Sequence, residues 1–251
     1  MWNATLYDKM SKERLQPSLD LVSRIADRQF DRIIDIGCGT GLSTTPLKKN
    51  WPDAEITGVD LSDEMLGKAR HQLKDVTWYK RDCSSPLDDL GTFDLVFSNA
   101  FLQWLKNQKE FLENTHRLLN ENGILAIQLP DFQNMAASDC INAVAAEYGS
   151  VFESMAIYHN FAIEEYYDLL ITNYSFAEVW RTSYYHLLTD HKAILEFIRT
   201  TALRPFLARL ASDDQDLFLA RVLDALKRSY LVRPDGCVLF EFKRMFLLAQ
   251  K

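Results

Sequence analysis

The sequence predicts an α/β fold with an open, Rossmann-like sheet, mostly parallel with an antiparallel last strand, plus a helical cap. Three observations carry that expectation. Through the first half of the chain, short apolar runs alternate with helix-periodic segments, the pattern of a parallel sheet with right-handed crossovers. A glycine-rich turn, Gly37-Cys38-Gly39-Thr40-Gly41, follows the first apolar run and opens a helical segment. After Pro130 the alternation stops, and stretches rich in Ala, Tyr and Phe take over.

In chain order, residues 15–28 have helical periodicity, with Leu15, Leu19, Val22 and Ile25 along one face. Arg32 to Ile36 reads as a buried strand entering the glycine turn. Residues 42–50 read as a helix and 55–60 as the second strand. Ser62 is placed as an N-cap, with Asp63 and Glu64 suited to the positive end of a helix running to Gln72. Strands are expected at 76–79 and 93–98, a helix at 108–119 stopped by Asn120 to Gly123, and a strand at 124–129. Beyond Pro130, 133–174 reads as helical, 176–188 as a strand, 192–200 and 214–230 as helices, and 238–249 as the closing strand. The helices between the last two strands are more apolar than a surface loop needs. They are expected to cover the carboxyl ends of the strands, where open α/β sheets bind ligands. The organisation expected is a single domain over 1–251, with a cofactor-binding core at 30–130 and helical cap insertions at 131–175 and 190–235 over the substrate site.

Composition narrows the function. A net charge of −7 argues against general nucleic-acid binding, which needs Lys and Arg to displace counterions from phosphates. Cys38, Cys83, Cys140 and Cys237 have neither CxxC nor Cys/His zinc spacing, so they read as reduced thiols and no metal is expected. The opening residues lack the apolar core of a signal peptide, and no apolar run is long enough to span a membrane. A cytoplasmic protein with no membrane partner is expected. It should be a monomer, because no heptad or apolar stripe is left unassigned.

The loop after the first strand sets the ligand chemistry. A dinucleotide fingerprint, GxGxxG, receives a pyrophosphate at a helix N-terminus. Here the third glycine, Gly41, comes one residue early, and Asp35 precedes the first. A carboxylate would repel a pyrophosphate and attract an ammonium, such as the amino-acid portion of S-adenosylmethionine. Asp60 ends the second strand, about where an acid accepts from two ribose hydroxyls. Asp82 follows the third, where it can accept from an adenine amino group. Any one of these acids is equally well a turn or cap residue. Three at consecutive strand ends, beside the glycine loop, point to a nucleoside ligand.

Asp35 to Gly41 resembles the first motif of class I methyltransferases, and Gly58-Val59-Asp60-Leu61-Ser62 their acidic second-strand end. Ser98-Asn99-Ala100-Phe101-Leu102-Gln103-Trp104 resembles their fourth-strand motif. From end to end the chain is similar to the trans-aconitate 2-methyltransferase family. The more specific matches lie outside the cofactor segment, at Trp180-Arg181-Thr182, Tyr184-Tyr185-His186 and Leu203-Arg204-Pro205-Phe206-Leu207. The resemblance implies S-adenosyl-L-methionine as cofactor, with Asp35, Gly37, Gly39, Gly41, Asp60, Leu61, Asp82, Cys83 and Asn99 as its binding residues. It implies esterification of one carboxylate of a small polycarboxylic acid, trans-aconitate or similar. One departure stands out: the family commonly has Arg directly before the N-terminal Pro, where this chain has Gln16. If that Arg meets a substrate carboxylate, this protein has one cation fewer for its acid.

A carboxylate, with a pKa of about 4, is already ionised near neutral pH. Its attack on a sulfonium methyl needs no general base. The site must align the reactants and grip the other carboxylates, which suits Arg. Candidates are Arg14, Arg181 and Arg204, with Tyr7, Tyr184 and His186 as neutral partners and Trp104 as a wall whose face suits a sulfonium. Arg204 is equally placed to cap the helix before it. Tyr184 and His186 share one strand face while Tyr185 points away, and either face is a candidate for the ligand. The aromatic residues Tyr148, Phe152, Tyr158, Phe161, Tyr166 and Tyr167 read mainly as cap core. The alternatives are a carboxyl methyltransferase for another acid, such as a carrier-bound acyl chain, and a non-catalytic S-adenosylmethionine-binding protein. The glycine spacing and Asp35 disfavour a nicotinamide dehydrogenase.

Overall fold

A computed structural model describes residues 15–152, 158–199 and 201–251. A helix, α1, covers 15–23 and gives way to turns, Ile25 N–H reaching Val22 O at 3.1 Å, so it stops short of the expected 28. Then come β1 (Arg32–Ile36), α2 (Thr44–Asn50), β2 (Glu55–Asp60), α3 (Asp63–Gln72), β3 (Thr77–Lys80), β4 (Phe93–Asn99), α4 (Gln108–Leu118) and β5 (Leu119–Pro130). Next are α5 (Ala136–Ala146), α6 (Ile163–Asn173), β6 (Phe176–Leu188), α7 (His191–Arg199), α8 (Arg204–Leu207), α9 (Ser212–Ser229) and β7 (Val238–Gln250).

The sheet order is β3-β2-β1-β4-β5-β7-β6. β1 to β5 pair in parallel, with Asp35 opposite both Gly58 and Phe97. Strand order reverses at β1, which has β2 on one side and β4 on the other, and such a switch point opens a crevice at the carboxyl ends. β7 runs antiparallel. Ser175 N–H donates to Gln250 O, but farther along β6 the Ser183 and Tyr185 hydroxyls reach Glu241, so partner numbers fall as β6 rises. β1 and β4 are buried almost throughout because parallel strands are covered on both faces, whereas the edge strand β3 is mostly exposed.

Two compact units divide the chain, and β6 and β7 each contribute to both. The first holds 1–130, 159–181 and 245–251. Its core joins Ile34, Ile36 and Val59 to Val96, Leu125, Ile127, Met245 and Leu247. α6 belongs here. Its face of Ile163, Tyr166 and Leu170 fills that core, and Tyr166 OH donates to Gln108 on α4. The segment expected to be helical across 133–174 is therefore divided, with non-helical chain at 158–162 between α5 and α6. The residues expected to form a loop, Asn120 to Gly123, lie within β5. The turn tendency survives as a register shift opposite Phe93 to Leu95 and as Asn122 at φ +63°.

The second unit holds 131–158 and 182–244. Here α5 packs on α9 and α9 on α7. Phe218 gathers Tyr148, Phe152 and Phe206 with ring centroids 5.4, 5.4 and 5.8 Å away, so this part of the aromatic group is core. Tyr166 is also core, but in the first unit, whereas Tyr167 is exposed.

Candidate functional site

The chain leaves β1 by turning hard against β2, with Gly37 and Cys38 N–H groups both donating to Val59 O at 2.9 and 3.1 Å. Gly37 sits at φ +74°, and a Cβ there would lie 2.3 Å from the Phe101 ring, so both backbone and space exclude a side chain. Gly39 also has positive φ, +55°, but a Cβ on it would meet nothing within 4 Å. It is the open rung of the loop. Gly41 packs against Trp78, whose indole also covers Gly58.

Asp60 ties this loop to the end of β2. Its Oδ2 accepts from Gly39 N–H at 2.9 Å and its Oδ1 from Ser62 N–H at 2.8 Å. Ser62 Oγ in turn accepts from Met65 N–H, capping α3 as its sequence position requires. Beyond Asp60 the Leu61 side chain is 61% exposed, an apolar platform of the kind a purine base covers. Asp82 is exposed in a turn that it builds itself, accepting from Ser84 N–H and Oγ at 2.9 and 2.6 Å. Those bonds hold its carboxyl below the usual range. The neighbouring Cys83 thiol is buried and directed to Val59 O and Arg81 O, and burial pushes its pKa up to about 12.

Asp35 is wholly buried. Its Oδ2 accepts from the Ser43 and Thr44 hydroxyls at 3.1 and 2.6 Å, while its Oδ1 has no hydrogen-bond partner among the described residues. Burial raises its pKa to about 6 against the pull of Thr44 and Ser43, and Asp60 adds to the rise. At the end of adjacent β4, Asn99 Oδ1 is likewise buried and has no hydrogen-bond partner among the described residues. Ala100 follows at φ +57°, a left-handed alanine that re-aims the chain there. Leaving a buried acceptor unmatched costs about 1–3 kcal/mol. Two of them at neighbouring strand ends suit a ligand ammonium, which has three donors and no acceptor, so the residues fit the amino-acid end of S-adenosylmethionine.

Sequence reading missed several of these parts. Ser43 and Thr44 read as the start of a helix, not as the grip on Asp35. Gln103 and Asn160 donate through their amide nitrogens to Ala100 O and Pro130 O, each at 2.6 Å, leaving their buried oxygens without a partner among the described residues. Nothing in local spacing marks Asn160, because only the tertiary fold brings it to the end of β5.

The residues proposed for the acid are distributed differently. Trp104 is 44% exposed in the turn after β4, and Arg181 is exposed on β6, both in the first unit. In the second unit Tyr184 and His186 share the inward face of β6 while Tyr185 points out. His186 is 6% exposed beside Phe197, and its pKa falls to about 4, first through burial and then through the positive charge of Arg244. It is a neutral imidazole at physiological pH. Arg204 is exposed and opens the short helix α8, with Pro205 in its first turn, so it does not cap α7, which ends at Arg199. Tyr7 and Arg14 lie outside the described residues. Gln16 is exposed and donates to Asp20 Oδ1 at 2.7 Å. Among the described residues no group of three His, Cys, Asp or Glu gathers as a metal site, and no helix is long and apolar enough to cross a membrane.

A sheet in this order, with an acid-lined glycine turn at the β1 switch point, defines a class I S-adenosylmethionine-dependent methyltransferase. Residues 34–127 match the family model described as a methyltransferase domain. Curated trans-aconitate 2-methyltransferases from Escherichia coli O157:H7 and Shigella flexneri are 36% and 34% identical, each alignment covering 100% of this chain and 98% of the relative. The chain belongs to the trans-aconitate 2-methyltransferase family. Solved structures of lower identity share the fold. They include the YcgJ protein of Bacillus subtilis (TM-score 0.60, 15% identity, covering 94% of this chain and 98% of that one). Another is phosphoethanolamine N-methyltransferase 2 of Haemonchus contortus in complex with S-adenosyl-L-methionine (TM-score 0.56, 20% identity, 93% and 52% covered).

Proposed function

We propose that the protein methylates one carboxylate of a small polycarboxylic acid, trans-aconitate or a close analogue, and releases its mono-ester. The observation that carries this reading is the similarity to trans-aconitate 2-methyltransferases over the whole chain, well beyond the cofactor segment. When bound, S-adenosylmethionine supplies an electrophilic methyl group on a sulfonium. Asp60 orients the ribose, Leu61 underlies the base, and Asp35 with Asn99 holds the ammonium. Asp82 and the backbone at Cys83 meet the base edge. Trp104 helps wall the methyl group from water, and Arg181, Arg204, Tyr184 and His186 bind the acid, together with Tyr7 and Arg14. The acid reacts as its carboxylate, so the protein has no proton to remove. Its contribution is alignment and charge matching.

The reading takes the protein as a cytoplasmic monomer without a nucleic-acid partner, in line with its −7 charge and free thiols. A second reading, another carboxylic acid such as a carrier-bound acyl chain, is favoured by Gln16 standing where the family commonly has Arg. Turnover of labelled S-adenosylmethionine against di- and tricarboxylates, with mass spectrometry of the product, separates the two. A mono-methyl ester of a tricarboxylate is expected. Cofactor binding without product across the panel would overturn the small-acid reading.

A further inference from the structure

Two carboxamides stand at the carboxyl ends of β4 and β5, both within the first unit. Gln103, 3% exposed, lies in the single 3-10 turn that follows β4, and its Nε2 donates to Ala100 O at 2.6 Å. Asn160 lies in the extended chain before α6, and its Nδ2 donates to Pro130 O at 2.6 Å. His159 N–H donates to Gln103 O at 3.2 Å, so the two segments run side by side. A carbonyl only accepts, so these bonds fix which end of each amide is nitrogen. The oxygens, Gln103 Oε1 and Asn160 Oδ1, are then buried with no hydrogen-bond partner among the described residues. Both carboxamides rest on one polar chain: Gln108 Nε2 donates to Leu102 O at 2.8 Å, Tyr166 OH donates to Gln108 Oε1, and Phe161 N–H donates to Tyr166 OH at 3.4 Å. They are held rigidly at the ligand end of the sheet.

A buried acceptor left unmatched is costly, so each oxygen calls for a donor from a ligand. The acid cannot supply one, because a carboxylate only accepts. The cofactor carries two positive groups. Its ammonium falls to Asp35 and Asn99 in the proposed function, which leaves the sulfonium, whose methyl C–H groups are polarised by the charge on sulfur. We infer that Gln103 Oε1 and Asn160 Oδ1 accept C–H···O contacts from that methyl group and hold it for transfer. The inference rests on the cofactor part of the proposed function and not on the identity of the acid. Amides suit the task because their oxygens attract a cation without adding a negative charge that would repel the incoming carboxylate. As the carboxylate oxygen bonds to the methyl carbon, the C–S bond breaks and its electron pair stays on sulfur. No proton moves, and the thioether product has lost both the methyl and the charge that the two oxygens favour.

The test is calorimetry of S-adenosylmethionine and of S-adenosylhomocysteine on wild type, Gln103→Met, Asn160→Leu and the double variant. The two ligands share base, ribose and ammonium and differ in the methyl and its charge. Each single variant is expected to weaken S-adenosylmethionine about 2- to 5-fold, the scale of one C–H···O contact, and the double variant more than either. Affinity for S-adenosylhomocysteine should stay at the wild-type value. Equal weakening of both ligands overturns the inference, because the carboxamides would then serve the shared ammonium end or the fold. Unchanged affinity for both ligands overturns it as well. Should Gln103→Met lose its fold, Asn160→Leu decides alone, since Asn160 is partly exposed. A selective loss of S-adenosylmethionine there supports the methyl contact, and a parallel loss or none removes it. No acid enters the experiment, so a wrong substrate assignment leaves its result unchanged.

Discussion

The end of β1 in the first unit and the inward face of β7 in the second each bury a side chain of opposite charge, Asp35 and Arg244. At the first, Asp35 is fully buried and burial lifts its carboxyl toward neutrality. At the second, Arg244 is buried against Phe242, and burial with Arg244 drives His186 neutral. The acid cradle, with two buried acceptors left unmatched among the described residues, is suited to a cationic ligand. Most of the cradle is local in sequence, lying between Asp35 and Ser62 with Asn99 added from β4, whereas the arginine face draws on residues from 184 to 244.

The contrast breaks most visibly at Asp60. Asp60→Ala removes the acceptor for Gly39 and Ser62 N–H groups along with the proposed ribose contact. A charged acceptor contributes roughly 1.5–3 kcal/mol, so cofactor affinity in calorimetry should fall by about 10- to 150-fold. Unchanged affinity would take Asp60 out of the ribose role.

Asp35 sharpens the same contrast through pH. With its pKa raised to about 6, the carboxyl protonates as pH falls below that value and loses its attraction for an ammonium. Cofactor affinity should therefore decline below about pH 6, approaching tenfold per unit. Asp35→Asn should bind weakly with no such slope. In the cofactor-free protein the sign reverses. The folded state keeps this proton to about pH 6 while the unfolded chain releases it near 3.8, so stability falls as pH rises between those values. A slope in cofactor affinity that persists in Asp35→Asn would assign it to another group.

The smallest effect belongs to Arg204. Its side chain is exposed, so Arg204→Ala should change stability by no more than about 0.5 kcal/mol. KM for the acid should rise while cofactor affinity stays constant. A drop in melting temperature with unchanged KM would leave Arg204 as a helix-opening residue alone.

The features legible in the amino-acid order are those that a few neighbouring residues decide. The bounds of β1, β2 and β6 follow from short apolar or alternating runs, the cap of α3 from Ser62, and the loop from glycines spaced for a sharp turn. Asp35 and Asp60 could be picked out because their chemistry sits within one strand–helix–strand segment, from β1 to the end of β2. The tertiary structure decided what depends on distant partners. It sent α6 to the first core, since Tyr166 and Leu170 find their apolar surroundings there, and it drew Asn120 to Gly123 into β5. It chose which face of β6 is buried, and it brought Asn160 to the end of β5 and buried Arg244 although no local spacing marks them. Periodicity and turn chemistry act over a handful of residues. Burial, charge environment and unmatched hydrogen-bond acceptors arise only when segments a hundred residues apart close around one another.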